Sequence, residues 1–172
     1  MDPLARLIAI EEIKQLKARY FRCMDTRLWE EVGQTFTRDG VFDCSQGFQH
    51  TPLGGEPIGV EGPVTTGRDA IVAWIRDAFV KQTSLHHGHC HEVTIDSDTE
   101  AHGVIAMNDL IRDGSRTKTL LSAAGHYWER YRFEDGAWRI AHTRLTRLFN
   151  DVDPEGFYTA GVDDPAANVV AE

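Results

Sequence analysis

Residues 101–151 contain AHGVIAMNDLIRDG (101–114), KTLLSAAGHYWERYRFEDG (118–136) and AWRIAHTRLTRLFND (137–151). Each is long enough for a strand. Arg112-Asp113-Gly114-Ser115 and Glu134-Asp135-Gly136 supply turns between them, as hairpins require. EVTIDSD, from Glu92, alternates ahead of them, with Val93 and Ile95 on one face. The second half therefore reads as a meander of antiparallel strands.

The first half has a different period. Over residues 3–23, Leu4, Leu7, Ile8, Ile13, Leu16, Tyr20 and, just beyond, Met24 recur at three- and four-residue spacing and predict one apolar helix stripe. TRLWEEVGQTF (26–36) reads as a second short helix burying Leu28, Trp29, Val32 and Phe36. Asp39-Gly40 turns the chain into a short strand at 41–44. Residues 45–66, with five glycines and three prolines, read as a loop. Thr66-Gly67-Arg68-Asp69 resembles a capping box opening a third helix over 67–80, with Ile71, Trp74, Ile75 and Phe79 on one face. Helices first and strands last predict an α+β class, with helices packed on a curved sheet. A sheet that curls around a helix leaves an apolar cone, a natural small-molecule pocket. The acidic, small-residue tail from 151 to 172 is expected to be peripheral.

The chain has 172 residues, 41% of them apolar, which suits one globular domain over 1–172. No run reaches the roughly 18 apolar residues of a membrane span. The N-terminus has acids where a signal peptide would be apolar, so a soluble, cytoplasmic protein is expected. The net charge of −9 argues against a nucleic-acid partner. Cys23, Cys44 and Cys90 are odd in number and form no CxxC, so reduced thiols are expected rather than disulfides or a zinc knuckle.

SLHHGHCHEV (84–93) holds four histidines and a cysteine within six positions. On a regular strand His87, His89 and His91 share one face, and His86, Gly88, Cys90 and Glu92 the other. Three imidazoles at alternate positions could hold zinc, but flanking strand positions rarely close a tetrahedron alone. One working histidine with hydrogen-bonded neighbours is the commoner pattern, and no metal is expected. Gly88 is a candidate bulge. Asp25 either caps the second helix or is free for chemistry, since Thr26 could cap equally well. Tyr20 is either core or a pocket-facing phenol. Asp109 lies among apolar neighbours, where an unpaired carboxylate would be costly. Arg144, Arg147 and His126 are solvated or turned inward.

Three stretches together resemble the SnoaL-like branch of the nuclear transport factor 2-like superfamily. They are IEEIKQLKARYFRCMDTRLWEEVGQTFTRDGVFD, SLHHGHCHEVTIDSDTEA and HYWERYRFEDGAWRIAHTRLTRLF. Within it the chain looks most like three lyases: scytalone dehydratase, hexachlorocyclohexane dehydrochlorinase and bile-acid 7α-dehydratase. The resemblance implies a cone-shaped curved antiparallel sheet around N-terminal helices, no cofactor, and a homotrimer or homodimer. It places Asp25 on an aspartate that pairs with a strand-opening histidine, here His86, with His87 the rival one residue on. It also places Tyr20, Asp109 and an arginine, Arg144 or Arg147, in the pocket. His87, His126, Trp29 and Phe42 are further candidates for lining it. The dehydrochlorinase has no tyrosine at the Tyr20 position, and the loop at 45–66 is this chain's own.

The implied function is a cofactor-independent lyase of dehydratase or dehydrohalogenase type acting on a small hydrophobic, cyclic substrate. His86 is the expected general base, Asp25 fixes its tautomer, and Tyr20 with Asp109 or an arginine polarises the substrate. The rivals are an isomerase or polyketide cyclase, a non-catalytic ligand-binding domain, and a dioxygenase small-subunit-like structural protein.

Overall fold

The computed structural model describes residues 1–153. Helix α1 (Pro3–Asp25) starts at a clean cap. The Asp2 carboxylate accepts from the Leu4 and Ala5 amides at 2.9 and 3.0 Å, with Pro3 in the first turn, where its missing N–H costs nothing. The buried stripe runs through Ala9, Ile13, Leu16, Lys17, Tyr20, Phe21, Cys23 and Met24. The expected stripe holds only from Ile13 onward. Leu4, Leu7 and Ile8 are exposed, because the first two turns lie outside the core.

Helix α2 (Trp29–Gln34) is shorter than the predicted 26–36, and Phe36 already opens strand β1 (Phe36–His50). This strand replaces the predicted short strand and the first part of the loop. The rest of the loop contributes β2 (Ile58–Gly59) and β3 (Val64–Thr66), both antiparallel to β1. Helix α3 (Arg68–Phe79) follows without the predicted capping box. Gly67 is its cap at φ +94°, and no side chain caps it. Thr66 is instead committed to the sheet opposite Val41.

Strands β4 (Gln82–Ile95), β5 (Glu100–Asp113), β6 (Thr119–Glu134) and β7 (Ala137–Val152) form the predicted meander. Asp135 and Gly136, both at positive φ, make the β6–β7 turn. The sheet order is β2-β1-β7-β6-β5-β4, with β3 on β1; every pair is antiparallel except β1–β7, which is parallel. This seven-stranded sheet is curved and unclosed, a cone packed around the helices. α1 lies against β4 and β7. The main core fills the space between them, and a smaller cluster of Ile111, Leu120, Leu121 and Ala123 packs against Phe48, Phe79 and Val152.

Because β7 runs through Val152, the tail begins later than predicted; from 154 onward it lies outside the described residues. Among the described residues no helix is long and apolar enough to cross a membrane.

Candidate functional site

The last residue of α1 meets the first half of β4. Asp25 Oδ1 lies 2.7 Å from His86 Nδ1 and accepts from the Ser84 hydroxyl at 2.8 Å. Its Oδ2 accepts from the His86 backbone amide at 2.9 Å. Asp25 therefore caps no helix. Its carboxylate is spent on β4, and it fixes both the backbone and the ring of His86. The His86 side chain is 2% exposed. Phe21 stacks on its ring at 6.2 Å and 9°, and Phe79 meets it edge-on at 5.6 Å. With Nδ1–H donated to the carboxylate, Nε2 is the basic nitrogen.

Strand parity explains which histidine turns inward. Gln82, Ser84 and His86 are buried, whereas Leu85, His87 and His89 are exposed on the outer face. The register slips between His89 and Glu92, and Cys90 sits at φ +48°. This bulge reverses the parity, so His91 turns inward with Val93 and Ile95. The expected common face of His87, His89 and His91 does not form. His87 stacks with His89, and His89 Nε2 meets Asn108 Oδ1 at 2.7 Å, outside the cone. The bulge is at Cys90, not Gly88. Gly88 serves close approach instead: a Cβ there would lie 2.6 Å from Phe21 Cε2.

Opposite His86 on β5 stands Asp109. Arg147 pairs with it through two parallel bonds, Nη1 to Oδ1 at 2.9 Å and Nη2 to Oδ2 at 2.8 Å, with both side chains 5% exposed. Arg147 Nε also donates to the Gly47 carbonyl at 3.0 Å. Burial works against the guanidinium charge, but Asp109 outweighs it and raises the Arg147 pKa. Arg144 lies on the outer face over the Trp128 ring, and His126 packs there beside Trp128. Neither faces the interior, because the residues of β6 and β7 that point inward are the others of each alternation.

Tyr20 is completely buried. Its hydroxyl lies next to the Tyr127 phenol without completing a hydrogen bond and has no partner among the described residues. Burial, then Tyr127, Glu129 and Cys44, raise its pKa well above 10.0, so the phenol keeps its proton. Phe42 is buried in contact with Phe36 and Trp74, one ring removed from Tyr20. Trp29 is half-buried at the start of α2 against the main core. Burial also pushes the Cys44 thiol up, which keeps it protonated.

Sequence reasoning missed a second polar cluster. Lys17, fully buried, lies 2.6 Å from Glu129 Oε1, which also accepts from Thr143 Oγ1 at 2.8 Å. Tyr131 donates to Oε2 at 2.6 Å. The signal was present: Lys17 falls between Ile13 and Tyr20 on the buried stripe, and Glu129 shares strand parity with Tyr127 and Tyr131. Among the described residues no group of three or more His, Cys, Asp or Glu could hold a metal ion.

Residues 5–144 match a protein family described as SnoaL-like domain. A Novosphingobium aromaticivorans protein assigned as a scytalone dehydratase has a similar structure at 18% identity. The match covers 87% of this chain and 90% of that one, with a TM-score of 0.71. A type 2 hexachlorocyclohexane dehydrochlorinase matches at 16% identity, 88% and 93% coverage and a TM-score of 0.69. A Mycobacterium tuberculosis protein of unknown function matches at 25% identity, 99% and 88% coverage and a TM-score of 0.66.

Proposed function

Because the chain belongs to the SnoaL-like domain family, within the nuclear transport factor 2-like superfamily, we propose that it is a cofactor-independent lyase acting on a small, uncharged, hydrophobic cyclic substrate. The observation that carries this reading is the 2.7 Å contact between His86 Nδ1 and Asp25 Oδ1, with the imidazole held between the rings of Phe21 and Phe79. A purely binding domain has no need of a carboxylate that anchors an imidazole at both ring and backbone. The neighbours whose names denote a dehydratase and a dehydrochlorinase support the same reaction class.

In the proposed reaction His86 Nε2 takes a proton from a substrate carbon. The electron pair of that C–H bond becomes the second bond of a new C=C, and the leaving group departs from the adjacent carbon with its own bonding pair, as chloride or hydroxide. Asp25 accepts the Nδ1–H throughout and stabilises the imidazolium as it forms. Tyr20, protonated and without a partner, donates to the leaving oxygen or to a carbonyl beside the reacting carbon. Arg147 and Asp109 neutralise each other, as do Lys17 and Glu129. No unpaired buried cation is left in these two pairs to attract a carboxylate substrate, which favours an uncharged one. Outside the cone, exposed Leu85 and Trp128 lie on the outer sheet face, through which we propose that copies of the chain associate as a trimer or dimer.

The test is a screen of cyclic β-hydroxyketones and cyclic halides, read by the ultraviolet absorbance of the conjugated product. Turnover that disappears in His86→Ala and Asp25→Asn supports the assignment. Full-rate turnover in either variant rejects it. Sedimentation velocity reads the oligomer.

A further inference from the structure

Among the described residues β4 is an edge strand, and the end of α1 grips its first rungs from the open side. Arg27, just past α1, donates to the Gln82 carbonyl. Asp25 takes the His86 amide, the His86 ring and the Ser84 hydroxyl. The proton transfer described above uses the first two of these and not the third. Ser84 is one pleat ahead of His86 on the same buried face. Its hydroxyl donates at 2.8 Å to Oδ1, the oxygen that meets His86 Nδ1 at 2.7 Å. Two donors use both lone pairs of that oxygen. The His86 amide, on Oδ2, already fixes the plane of the carboxylate. What Ser84 adds is a second claim on the charge of Oδ1.

We propose that Ser84 is a positioning residue acting through Asp25: by sharing Oδ1 with the imidazole, its hydroxyl moderates the hold of the carboxylate on Nδ1 and keeps His86 a free base at neutral pH. A hydrogen bond to an ionised carboxylate stabilises the charge and weakens its pull on a second donor. With one donor fewer, Asp25 would grip the ring harder and favour the imidazolium, which cannot take a proton from carbon. The inference rests on the lyase reading above and gives Ser84 the task of setting the pH range in which that base works. The other charged groups around the ring are paired. Asp109, opposite on β5, is bound by Arg147 of β7, and Lys17, beyond Phe21 on α1, is bound by Glu129 of β6. From α3 the ring meets Phe79, and His87 points outward.

The first probe needs no substrate. In the full chain labelled with 15N-histidine, the His86 Nδ1–H is read as a downfield proton resonance, assigned by its loss in His86→Gln. Ser84→Ala is expected to move it further downfield, because the ring then has Oδ1 to itself. Ser84→Cys, a weaker donor, is expected to fall between, and it decides the matter if the alanine variant does not fold. Ser84→Thr keeps the hydroxyl and should match the wild type. With a substrate from the screen, the acid limb of kcat/KM in Ser84→Ala should move to higher pH by about 0.5–1 pH unit, with the plateau above it retained. A hydroxyl that merely needed a partner inside the cone would leave both readouts in place. A resonance that stays or moves upfield in the alanine and cysteine variants, or an acid limb that does not move, would overturn the proposal. Failure of the lyase reading looks different: no compound in the screen is turned over by the wild type, while the resonance still follows residue 84.

Discussion

Asp25 holds His86 at two points. One carboxylate oxygen meets the ring at 2.7 Å, and the other accepts the backbone amide at 2.9 Å. The last residue of the first helix thereby sets both the register of β4 against α1 and the tautomer of the imidazole. Substituting Asp25 by Asn keeps the shape and removes the charge that stabilises an imidazolium. We expect turnover of any substrate found by the screen to fall about 10²–10⁴-fold, while near-ultraviolet circular dichroism stays native. A comparable rate in the variant would assign Asp25 to structure alone.

The Asp109–Arg147 pair is buried and bidentate. Arg147→Met leaves a carboxylate without its partner and is expected to cost about 3–5 kcal/mol in urea unfolding. Arg147→Met with Asp109→Leu should recover most of that loss, because no charge remains buried. If the double variant is as unstable as the single one, the guanidinium's other bond, to Gly47, matters more than the ion pair.

Gly88 lets Phe21 approach β4 and stack on His86. In Gly88→Ala the new methyl would meet Phe21 at 2.6 Å, and overpacking of this kind costs about 1–3 kcal/mol. Displacing Phe21 should also lower turnover beyond what the lost stability explains, measured well below the melting temperature. Unchanged kinetics would show that the stack does not orient the imidazole.

The alkaline limb of stability should be steep. Burial raises the pKa values of Tyr20, Tyr127 and Tyr131 above the ordinary 10.0. The folded state then keeps protons that the unfolded chain loses, so the phenols' contribution is whole below pH 10 and falls above it, and the buried Cys44 thiol, raised from 9.0, begins the decline near pH 9. Burial lowers Lys17 from 10.5 despite Glu129, which works in the opposite sense, but only below 10.5. Above that the three phenols and the Cys44 thiol act together, at up to roughly 5 kcal/mol per pH unit. The urea midpoint and the phenolate absorbance should therefore change together. More than one phenolate per chain in the folded protein would refute this, Tyr158 lying outside the described residues. On the acid side, burial and then Lys17 lower the His91 pKa below 6.5, so His91 contributes stability above that value and loses it as the pH falls.

Hydrophobic period sufficed for the helix-then-meander order, since a buried face must repeat every 3.6 or every 2 residues. It failed at the first two turns of α1, where Leu4, Leu7 and Ile8 continue the pattern but stay exposed among the described residues. It also failed at 45–66, where glycine and proline punctuation concealed a long, irregular strand that pairs on both edges.

The site shows the same division. The resemblance to the SnoaL-like branch, not spacing, singles out Asp25, Tyr20, Asp109, His86 with its rival His87, and Arg144 or Arg147 as candidates. Whether His86 or His87 turns inward depends on strand parity, and parity depends on a one-residue bulge at Cys90 that no local signal marks. Arg144 and Arg147 differ by three positions, so alternation puts them on opposite faces, and the packing of β7 decided that the face shared by Thr143, Leu145 and Arg147 is the inward one. The sequence by itself thus determined which elements form and which side chains are available. Tertiary structure alone decided which of them meet, because pairing Lys17 with Glu129, or Asp25 with His86, depends on distances set by packing a helix into a curved sheet, and such distances leave no periodic trace along the chain.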